Sequence, residues 1–471
     1  MKILLASPAL SMEEQKNPVV SNLFSNAMPL GICYLAAVLI REGIDVELVD
    51  GAAERLTQKD IIDKVKNGNF DVLGISTTTV SYHRAIELAR MAKKEFGKSI
   101  PVLLGGAHIS AVPNQAMVEE AFDIGVYGEA EETIIELLRA MDRGEDLSKV
   151  KGIYYRKDSE LIFTGARPPI ENLDTIPFPA RHLLKADNYS SLPTDVKRMP
   201  KFSILANRGC PFHCIFCDSA VVGKKYRSPS PKYLVDEMEH LVKEFGAKEI
   251  FFVGTTFTVS KEKTLQFLDE LESRNLDLYW TCSTRVDVVD RPLLERMKHA
   301  GCWSIRFGIE SGNQKVLDFI KKEITKEQVR KAITTCEELG IHTKGFFMIG
   351  HLIDTPQTIR DSIDFAKSLP LTDITVQINT PLPNTEQFHL ADKYGTLDAK
   401  DYLKFSFFDP VFVPKGMSEE QLIELHRKFY HEFYWRPKIL WRQFKKVMNF
   451  NTFKNYIKCL DLIIYLTLKR K

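Results

Sequence analysis

The run Phe202-Ser203-Ile204-Leu205-Ala206-Asn207-Arg208-Gly209-Cys210-Pro211-Phe212-His213-Cys214-Ile215-Phe216-Cys217 decides how this chain is read. It opens as a short aliphatic strand and breaks at Asn207-Arg208-Gly209 into a loop carrying three cysteines. Their spacing offers three thiolates to one metal centre and withholds a fourth. A 4Fe-4S cluster takes one ligand on each iron, so four cysteines would close it as an electron carrier, whereas three leave one iron open to bind and cleave a substrate. A structural zinc site would want a fourth ligand and paired C-x-x-C knuckles; His213 and Asp218 lie close, but the spacing is not that of a zinc ribbon. No basic-then-apolar leader opens the chain at Met1-Lys2-Ile3-Leu4-Leu5, which points to the reducing cytoplasm and away from disulfides. Cys33, Cys282, Cys302, Cys336 and Cys459 stand singly among apolar neighbours and read as small buried hydrophobes.

After the first of these strands, others recur at barrel-like intervals: Glu249 to Val253, Leu278 to Cys282, Ser304 to Gly308, His342 to Met348 and Ile374 to Asn379, with amphipathic helices such as Pro231 to Phe245 and Lys261 to Arg274 between them. Chemistry in such barrels collects at the carboxyl ends of strands. The cysteine order, with an aromatic residue before the last cysteine, resembles the signature of the radical S-adenosylmethionine (radical SAM) superfamily. The resemblance implies a partial (β/α)6 barrel over 196–400 and a 4Fe-4S cluster on Cys210, Cys214 and Cys217. Arg306-Phe307-Gly308-Ile309-Glu310-Ser311-Gly312 is similar to the family segment whose acid and serine hold S-adenosylmethionine, so Glu310 and Ser311 are expected at that cofactor; the alternative for Glu310 is an acid capping a following helix. Arg285 matches a family segment and would pair with the methionyl carboxylate, or else with Asp287 or Glu310. Gly345, opening Gly345-Phe346-Phe347-Met348-Ile349-Gly350, falls on the strand that in the family flanks the adenine. One departure stands out: many members carry two aspartates, which could bind the substrate or the amino group of S-adenosylmethionine, where this chain reads Val253-Gly254-Thr255-Thr256-Phe257-Thr258; the interaction is left to hydroxyls or to another residue, and the departure reads as a shift in the substrate pocket.

Ahead of this core, short aliphatic runs at Lys2 to Ala6, Val46 to Val49, Val72 to Ser76, Val102 to Leu104 and Ile124 to Tyr127 alternate with helical stretches, which predicts a doubly wound parallel sheet with its ligand beyond the carboxyl ends of the strands. Those ends read Ser7-Pro8, Ser76-Thr77-Thr78-Thr79, Gly105-Gly106-Ala107-His108 and Tyr127-Gly128-Glu129, hydroxyls and glycines that suit a large polar ligand approached closely by backbone. Together with Pro29-Leu30-Gly31-Ile32-Cys33, the module over 1–145 resembles the cobalamin-binding domain that precedes the barrel in the cobalamin-dependent subfamily. Ser76, Thr78, Gly105, Gly106, His108 and Glu129 are the residues expected to line it. The Asp-x-His-x-x-Gly motif that supplies a cobalt-ligating histidine elsewhere is missing, so His108 reads as pocket-lining, with a plain turn histidine as the alternative. The proline-punctuated stretch 146–195 reads as linker.

The chain has 471 residues, is 44% hydrophobic and carries a formal charge of only +2, which argues against wholesale nucleic-acid binding. Its last segment, 401–471, is expected to be helical. From His426 onward it is strongly basic, interleaving Arg427, Lys428, Arg436, Lys438, Arg442, Lys445 and Lys446 with Phe429, Tyr430, Phe433, Tyr434, Trp435, Trp441, Phe444, Phe450, Phe453 and Tyr456. It reads either as an interfacial segment at the inner face of the membrane, with lysines toward anionic headgroups, or as an ordinary cap on the barrel. The expected activity is reductive cleavage of S-adenosylmethionine with cobalamin, an electron donor such as flavodoxin or ferredoxin, and methylation of an unactivated carbon of a lipid-like or other hydrophobic substrate. A radical cyclase or ring-rearranging enzyme is the alternative. A tRNA methylthiotransferase would bring three more cysteines in the first domain, where only Cys33 lies. A corrinoid-binding protein without turnover would keep the scaffold and not cleave S-adenosylmethionine.

Overall fold

A computed structural model describes residues 1–11, 14–15, 27–158, 160–189, 195–398, 402–405 and 407–447. The chain divides into two compact units, Met1–Ser190 with Asp218–Gly223, and Ser191–Cys217 with Lys224–Lys471.

The first unit alternates β1 (Lys2–Ser7), α1 (Leu30–Arg41), β2 (Asp45–Asp50), α2 (Gln58–Asn67), β3 (Val72–Thr77), α3 (Tyr82–Phe96), β4 (Val102–Gly106), α4 (Ala107–Ala111), β5 (Ile124–Val126) and α5 (Glu131–Arg143). Strands β1 to β5 are parallel and lie in the order β2-β1-β3-β4-β5, so the order reverses between β1 and β3 and opens a ligand crevice at their carboxyl ends. Near-continuous burial of β1 and β3 follows from helices on both faces of the sheet. Between α4 and β5 the chain makes a short turn of helix at Pro113–Ala116, with proline at the first position. The interval 146–195, expected as linker, holds β6 (Ile153–Lys157) and β7 (Glu160–Phe163), an antiparallel hairpin that extends the same sheet beyond β5. Prolines masked that signal: Tyr127, Tyr154 and Phe163 pack as an aromatic group that fixes the hairpin, with Tyr154 and Phe163 stacked at 4.3 Å.

The second unit runs β8 (Lys201–Leu205), α6 (Pro231–Phe245), β9 (Glu249–Val253), α7 (Lys261–Arg274), β10 (Tyr279–Thr284), α8 (Arg291–His299), β11 (Cys302–Glu310), α9 (Gln314–Phe319), α10 (Lys326–Glu338), β12 (His342–Ile349), α11 (Pro356–Ser368), β13 (Asp373–Ile378) and α12 (Glu386–Tyr394). Its six parallel strands are ordered as in the chain, an open barrel wall. Alternate residues are fully buried or half-buried. The buried set faces the helices, as where Phe252, Trp280 and Phe257 pack on Phe267 of α7. The half-buried set, including Ser203, Leu205, Phe251, Val253, Ser283, Arg306, Gly308, Phe346, Met348, Thr375 and Gln377, therefore forms the concave face.

An open wall leaves β13 with unpaired backbone groups. After the hairpin of β14 (Gly395–Leu397) and β15 (Phe412–Pro414), α13 (Glu419–Tyr434) covers that edge. Val376 N–H donates to the Tyr430 hydroxyl at 2.8 Å, the Val376 carbonyl accepts from His426 Nε2 at 2.9 Å, and the Ile374 carbonyl accepts from the Tyr434 hydroxyl at 3.2 Å. Phe429 and Phe433 are fully buried, and Glu432 is clamped by Arg360 and Lys367. For these aromatic residues the cap reading holds. Trp435, Leu440 and Trp441, at the junction with α14 (Pro437–Val447), are exposed. Phe450, Phe453, Tyr456 and Cys459 lie outside the described residues. Among the described residues no helix is long and apolar enough to cross a membrane.

Candidate active site

The cysteine loop leaves β8 directly, and the residues before it act as its anchor. Asn207 is buried; its side-chain oxygen accepts from Thr255 N–H at 2.9 Å and its amide donates to the Thr256 carbonyl at 3.2 Å. The Thr255 hydroxyl lies 2.8 Å from both the Asn207 side-chain oxygen and the Gly209 carbonyl, so its one proton serves either acceptor. This arrangement needs Gly254, where φ is +156° and a Cβ would sit 2.9 Å from the Asn207 oxygen. Further along, Arg208 and Arg227 exchange backbone hydrogen bonds of 2.8 and 2.9 Å. Ile215 donates to the Ile320 carbonyl and accepts from Gln387 N–H, both at 3.1 Å, and Cys217 N–H closes a turn on the Cys214 carbonyl at 3.2 Å. The loop is thus tied to the ends of β9 and α9 and to α12, and none of these bonds uses a cysteine sulfur.

Cys210 and Cys214 are half-buried and Cys217 is exposed, all three as free thiols. Burial raises the Cys214 thiol pKa, and Glu310 adds to that, while Lys322 and Arg285 oppose it. Those four groups therefore share one neighbourhood. Among the described residues no three His, Cys, Asp or Glu side chains converge on a single ion. A cubane instead takes one thiolate at each of several corners, so three thiols spread along one anchored loop fit it.

Glu310 closes β11 in the left-handed region, with φ +67°, and its carboxylate accepts from Lys322 Nζ at 2.8 Å. It does not cap the following helix, whose first turn is capped by Asn313. Gly308 makes the pair possible, since a Cβ there would stand 2.6 Å from Glu310 Oε1 and 2.8 Å from Lys322 Nζ. Lys321 and Glu323, on either side of Lys322, also have positive φ, so the turn that delivers Lys322 is held in a costly conformation. Arg285 pairs with Asp287 at 2.9 and 2.8 Å, donates to the Lys322 carbonyl at 2.7 Å, and lies 3.7 Å over the ring of Phe212. Of the two expectations for Arg285, the structure shows the ion pair with Asp287, and the guanidinium holds the cysteine loop by stacking.

Two expected contacts with S-adenosylmethionine are displaced. The Ser311 hydroxyl is buried against Ser362 at 3.1 Å and accepts from Asn313 N–H, so it joins β11 to α11. Gly345 lies on the buried, helix-facing side of β12, where a Cβ would press on Leu371, Phe347 and Ile309 at 3.0 to 3.1 Å; it is a packing glycine. Among the expected residues, the structure brings Cys210, Cys214, Arg285 and Glu310 into one neighbourhood, with Cys217 one turn along the same loop. Asn207, Thr255 and Lys322 were missed, and only the family departure at Thr255-Thr256 signalled any of them.

In the first unit, Ser76 and Gly105 are register partners at the crevice end of β3 and β4. Ser76 is half-buried, and a Cβ on Gly105 would project into open space. Gly106 has φ +102°, and a Cβ there would lie 2.4 Å from the Thr77 carbonyl, so only glycine lets β4 run this close to β3. Thr78 is exposed, with its N–H bonded to the Ser81 hydroxyl at 3.0 Å. This glycine and hydroxyl cradle fits a large ligand. His108 does not line it: the ring is fully buried, 4.0 Å from the Tyr82 ring and 3.2 Å from the Thr79 hydroxyl, and burial lowers its pKa to about 4. Glu129 is half-buried, with its carboxylate accepting from Ile170 N–H at 2.9 Å.

The radical SAM superfamily model matches residues 204–366, and the B12 binding domain model matches residues 16–138. Similar proteins include an uncharacterized methyltransferase of Pyrococcus horikoshii, 35% identical over 93% of this chain and 94% of that one. The anaerobic magnesium-protoporphyrin IX monomethyl ester cyclase of Rubrivivax gelatinosus is 30% identical over 90% of this chain and 77% of that one. Among solved structures, the radical S-adenosylmethionine methyltransferase TsrM of Kitasatospora setae, with cobalamin and a 4Fe-4S cluster bound, shares the fold with a TM-score of 0.66 at 19% identity, over 83% of this chain and 75% of that one. The chain therefore belongs to the B12-binding radical SAM enzymes, whose cofactors are a 4Fe-4S cluster, S-adenosylmethionine and cobalamin.

Proposed function

We propose that this enzyme methylates an unactivated carbon of a substrate with a largely apolar skeleton. The observation that carries the reading is the concave face of the second unit: toward the carboxyl ends of the strands it presents Leu205, Val253, Phe346 and Met348, with Ser283, Thr375 and Gln377 as the nearby polar groups. An apolar wall with a few polar groups binds a hydrophobic body and fixes its orientation.

Cys210, Cys214 and Cys217 would hold the cluster, Glu310 with Lys322 would face the polar end of S-adenosylmethionine, and Ser76, Thr78, Gly105 and Gly106 would cradle cobalamin. When bound, these groups supply a 5'-deoxyadenosyl radical and a transferable methyl group. The chain's own part is positioning. Arg285 clamps Phe212, Asn207 and Thr255 fix the loop's entry, and Glu310 is neutralised by a buried ammonium and so presents a directed hydrogen-bonding edge rather than a stranded charge. Holding the reacting atoms within a fixed wall also excludes water from a reactive intermediate. A flavodoxin or ferredoxin would deliver the electron. Trp435, Leu440 and Trp441, exposed beside Arg436 and Lys438, would give peripheral contact with the inner face of the membrane, in keeping with a lipid-like substrate.

Cyclisation remains the second reading, because a relative 30% identical to this chain is a cyclase. Protein purified anaerobically from cobalamin-fed cells, reduced with S-adenosylmethionine and a hydrophobic extract of its own cells, separates the two. Corrinoid bound to the protein, with both 5'-deoxyadenosine and S-adenosylhomocysteine formed and a product heavier by one methyl group, is the expected result. Deoxyadenosine without S-adenosylhomocysteine would overturn methyl transfer in favour of cyclisation or rearrangement.

A further inference from the structure

His351 follows β12 by two residues and is wholly buried, yet among the described residues neither ring nitrogen has a hydrogen-bond partner. A buried imidazole in a folded protein finds partners for its nitrogens, so this one is built to meet something besides the chain. Its surroundings point to what. The ring centroid lies 6.1 Å from that of Phe216, the residue between Ile215 and Cys217 in the cysteine loop. Asn379, whose amide donates to the Gly350 carbonyl at 3.1 Å, and Gln387, whose N–H donates to the Ile215 carbonyl at 3.1 Å, approach the same stretch, and each has a buried side-chain oxygen without a partner among the described residues. Of these three side chains, Asn379 and Gln387 leave acceptor oxygens unpartnered, whereas a neutral His351 ring carries an N–H for which no partner is found among the described residues. Thiolate and sulfide sulfurs are acceptors only. The charge of Lys322 acts on both His351 and Cys214.

We propose that His351 is a tuning residue for the cluster, donating a ring N–H to a sulfur of the 4Fe-4S centre held by Cys210, Cys214 and Cys217. The inference rests on the assignment of the cluster to those three cysteines. Burial lowers the imidazole pKa to about 3, which favours the neutral ring, and a neutral ring still carries one N–H to donate. A donor to sulfur stabilises the more negative, reduced cluster and raises its potential, because hydrogen bonds to the sulfurs are among the factors that set it.

The test uses the full chain with its cluster and without S-adenosylmethionine. Histidine labelled with 15N in the wild type should give a weak nitrogen coupling to the reduced cluster in pulsed EPR. His351→Phe keeps the ring packing on Phe216 and removes the donor; it should bind iron as wild type does while its reduction equilibrium falls about tenfold, ~59 mV for one electron. His351→Asn, which keeps an N–H, should recover part of that shift. A wild type without 15N coupling, or a Phe variant that loads iron and titrates at the wild-type potential, overturns the proposal. Loss of iron binding failing to follow Cys210→Ala, Cys214→Ala or Cys217→Ala would instead overturn the cluster assignment on which it rests.

Discussion

Replacing Lys322 by methionine keeps the aliphatic stem and deletes the ammonium that neutralises Glu310. The two groups are 2.8 Å apart, and their side chains are only 7% and 10% exposed, so solvent screens them little. At an effective dielectric of ~20 the attraction is about 6 kcal/mol. Most of it offsets desolvation, but removing one partner strands the other, which costs ~3–5 kcal/mol. For a body of this size each kcal/mol moves the melting midpoint by ~2–4 °C, so K322M should melt roughly 6–20 °C below wild type. Trp280, Trp303, Trp435 and Trp441 are the chain's four tryptophans and all lie in the second unit, so intrinsic fluorescence of the cluster-free protein follows that unit's unfolding. Arg285 bonds the backbone carbonyl of Lys322, so its hold on the loop survives the substitution. Adding Glu310→Gln removes the stranded carboxylate and should restore most of the loss, a coupling that independent sites would not show. A K322M protein melting within about 2 °C of wild type would refute the reasoning, since Glu310 would then have to be solvated.

His108→Gln tests a group that burial holds neutral with a pKa of about 4. Because that value lies below the ordinary histidine value of ~6.5, its contribution is full above ~6.5 and is lost as pH falls toward 4, so the variant should soften the acid-side fall in first-unit stability and leave the corrinoid absorption spectrum unchanged. Burial pushes the Asp195 carboxyl upward, but Lys344, Arg306 and Lys201 outweigh it and hold the pKa at about 2. Asp195→Asn should therefore cost on the order of 2 kcal/mol at pH 7, and the gap to wild type should close as pH falls from ~4 toward 2 in urea titrations. Gly106→Ala drives a Cβ against the Thr77 carbonyl and should destabilise the first unit by ~2–4 kcal/mol in calorimetry while the protein still loads iron. Thr255→Asp sets a carboxylate against the Asn207 and Gly209 oxygens and should sharply lower iron content, whereas Thr255→Ser should keep it; equal iron in both would sink the account of the loop's anchor.

What the sequence revealed and what it hid divide along the range of the interaction. The cysteine spacing and the strand-helix alternation are local patterns, and both read correctly into two α/β units of the expected class. Strand phase is harder. His342 to Met348 reads as a strand from composition, but a period of two does not say which set faces the concavity, and Gly345 proves to be on the helix-facing side. Ser311 illustrates the long-range limit, since its hydroxyl is taken by Ser362 of α11, fifty-one positions away. His108 looked open because it follows two glycines at a strand end, yet Tyr82 from another helix covers it. The hairpin of β6 and β7 was hidden by prolines that begin just beyond it.

The departure from the family at Thr255-Thr256 looked, from sequence, like a change in the substrate pocket. In the structure Thr255 lies against the entry of the cysteine loop, where its hydroxyl has a proton to give to the Asn207 side-chain oxygen or to the Gly209 carbonyl. A carboxylate accepts only, and here it would face two more acceptors. With this Asn207 arrangement in place, the threonine is the chemically consistent choice at position 255, and the loss of acids there does not by itself indicate loss of turnover. His351 extends the same logic to the other side of the loop. The one departure noted from sequence thus leaves the three thiols in place and bears on what holds the loop, and His351, as proposed, would act on the cluster from beside Phe216.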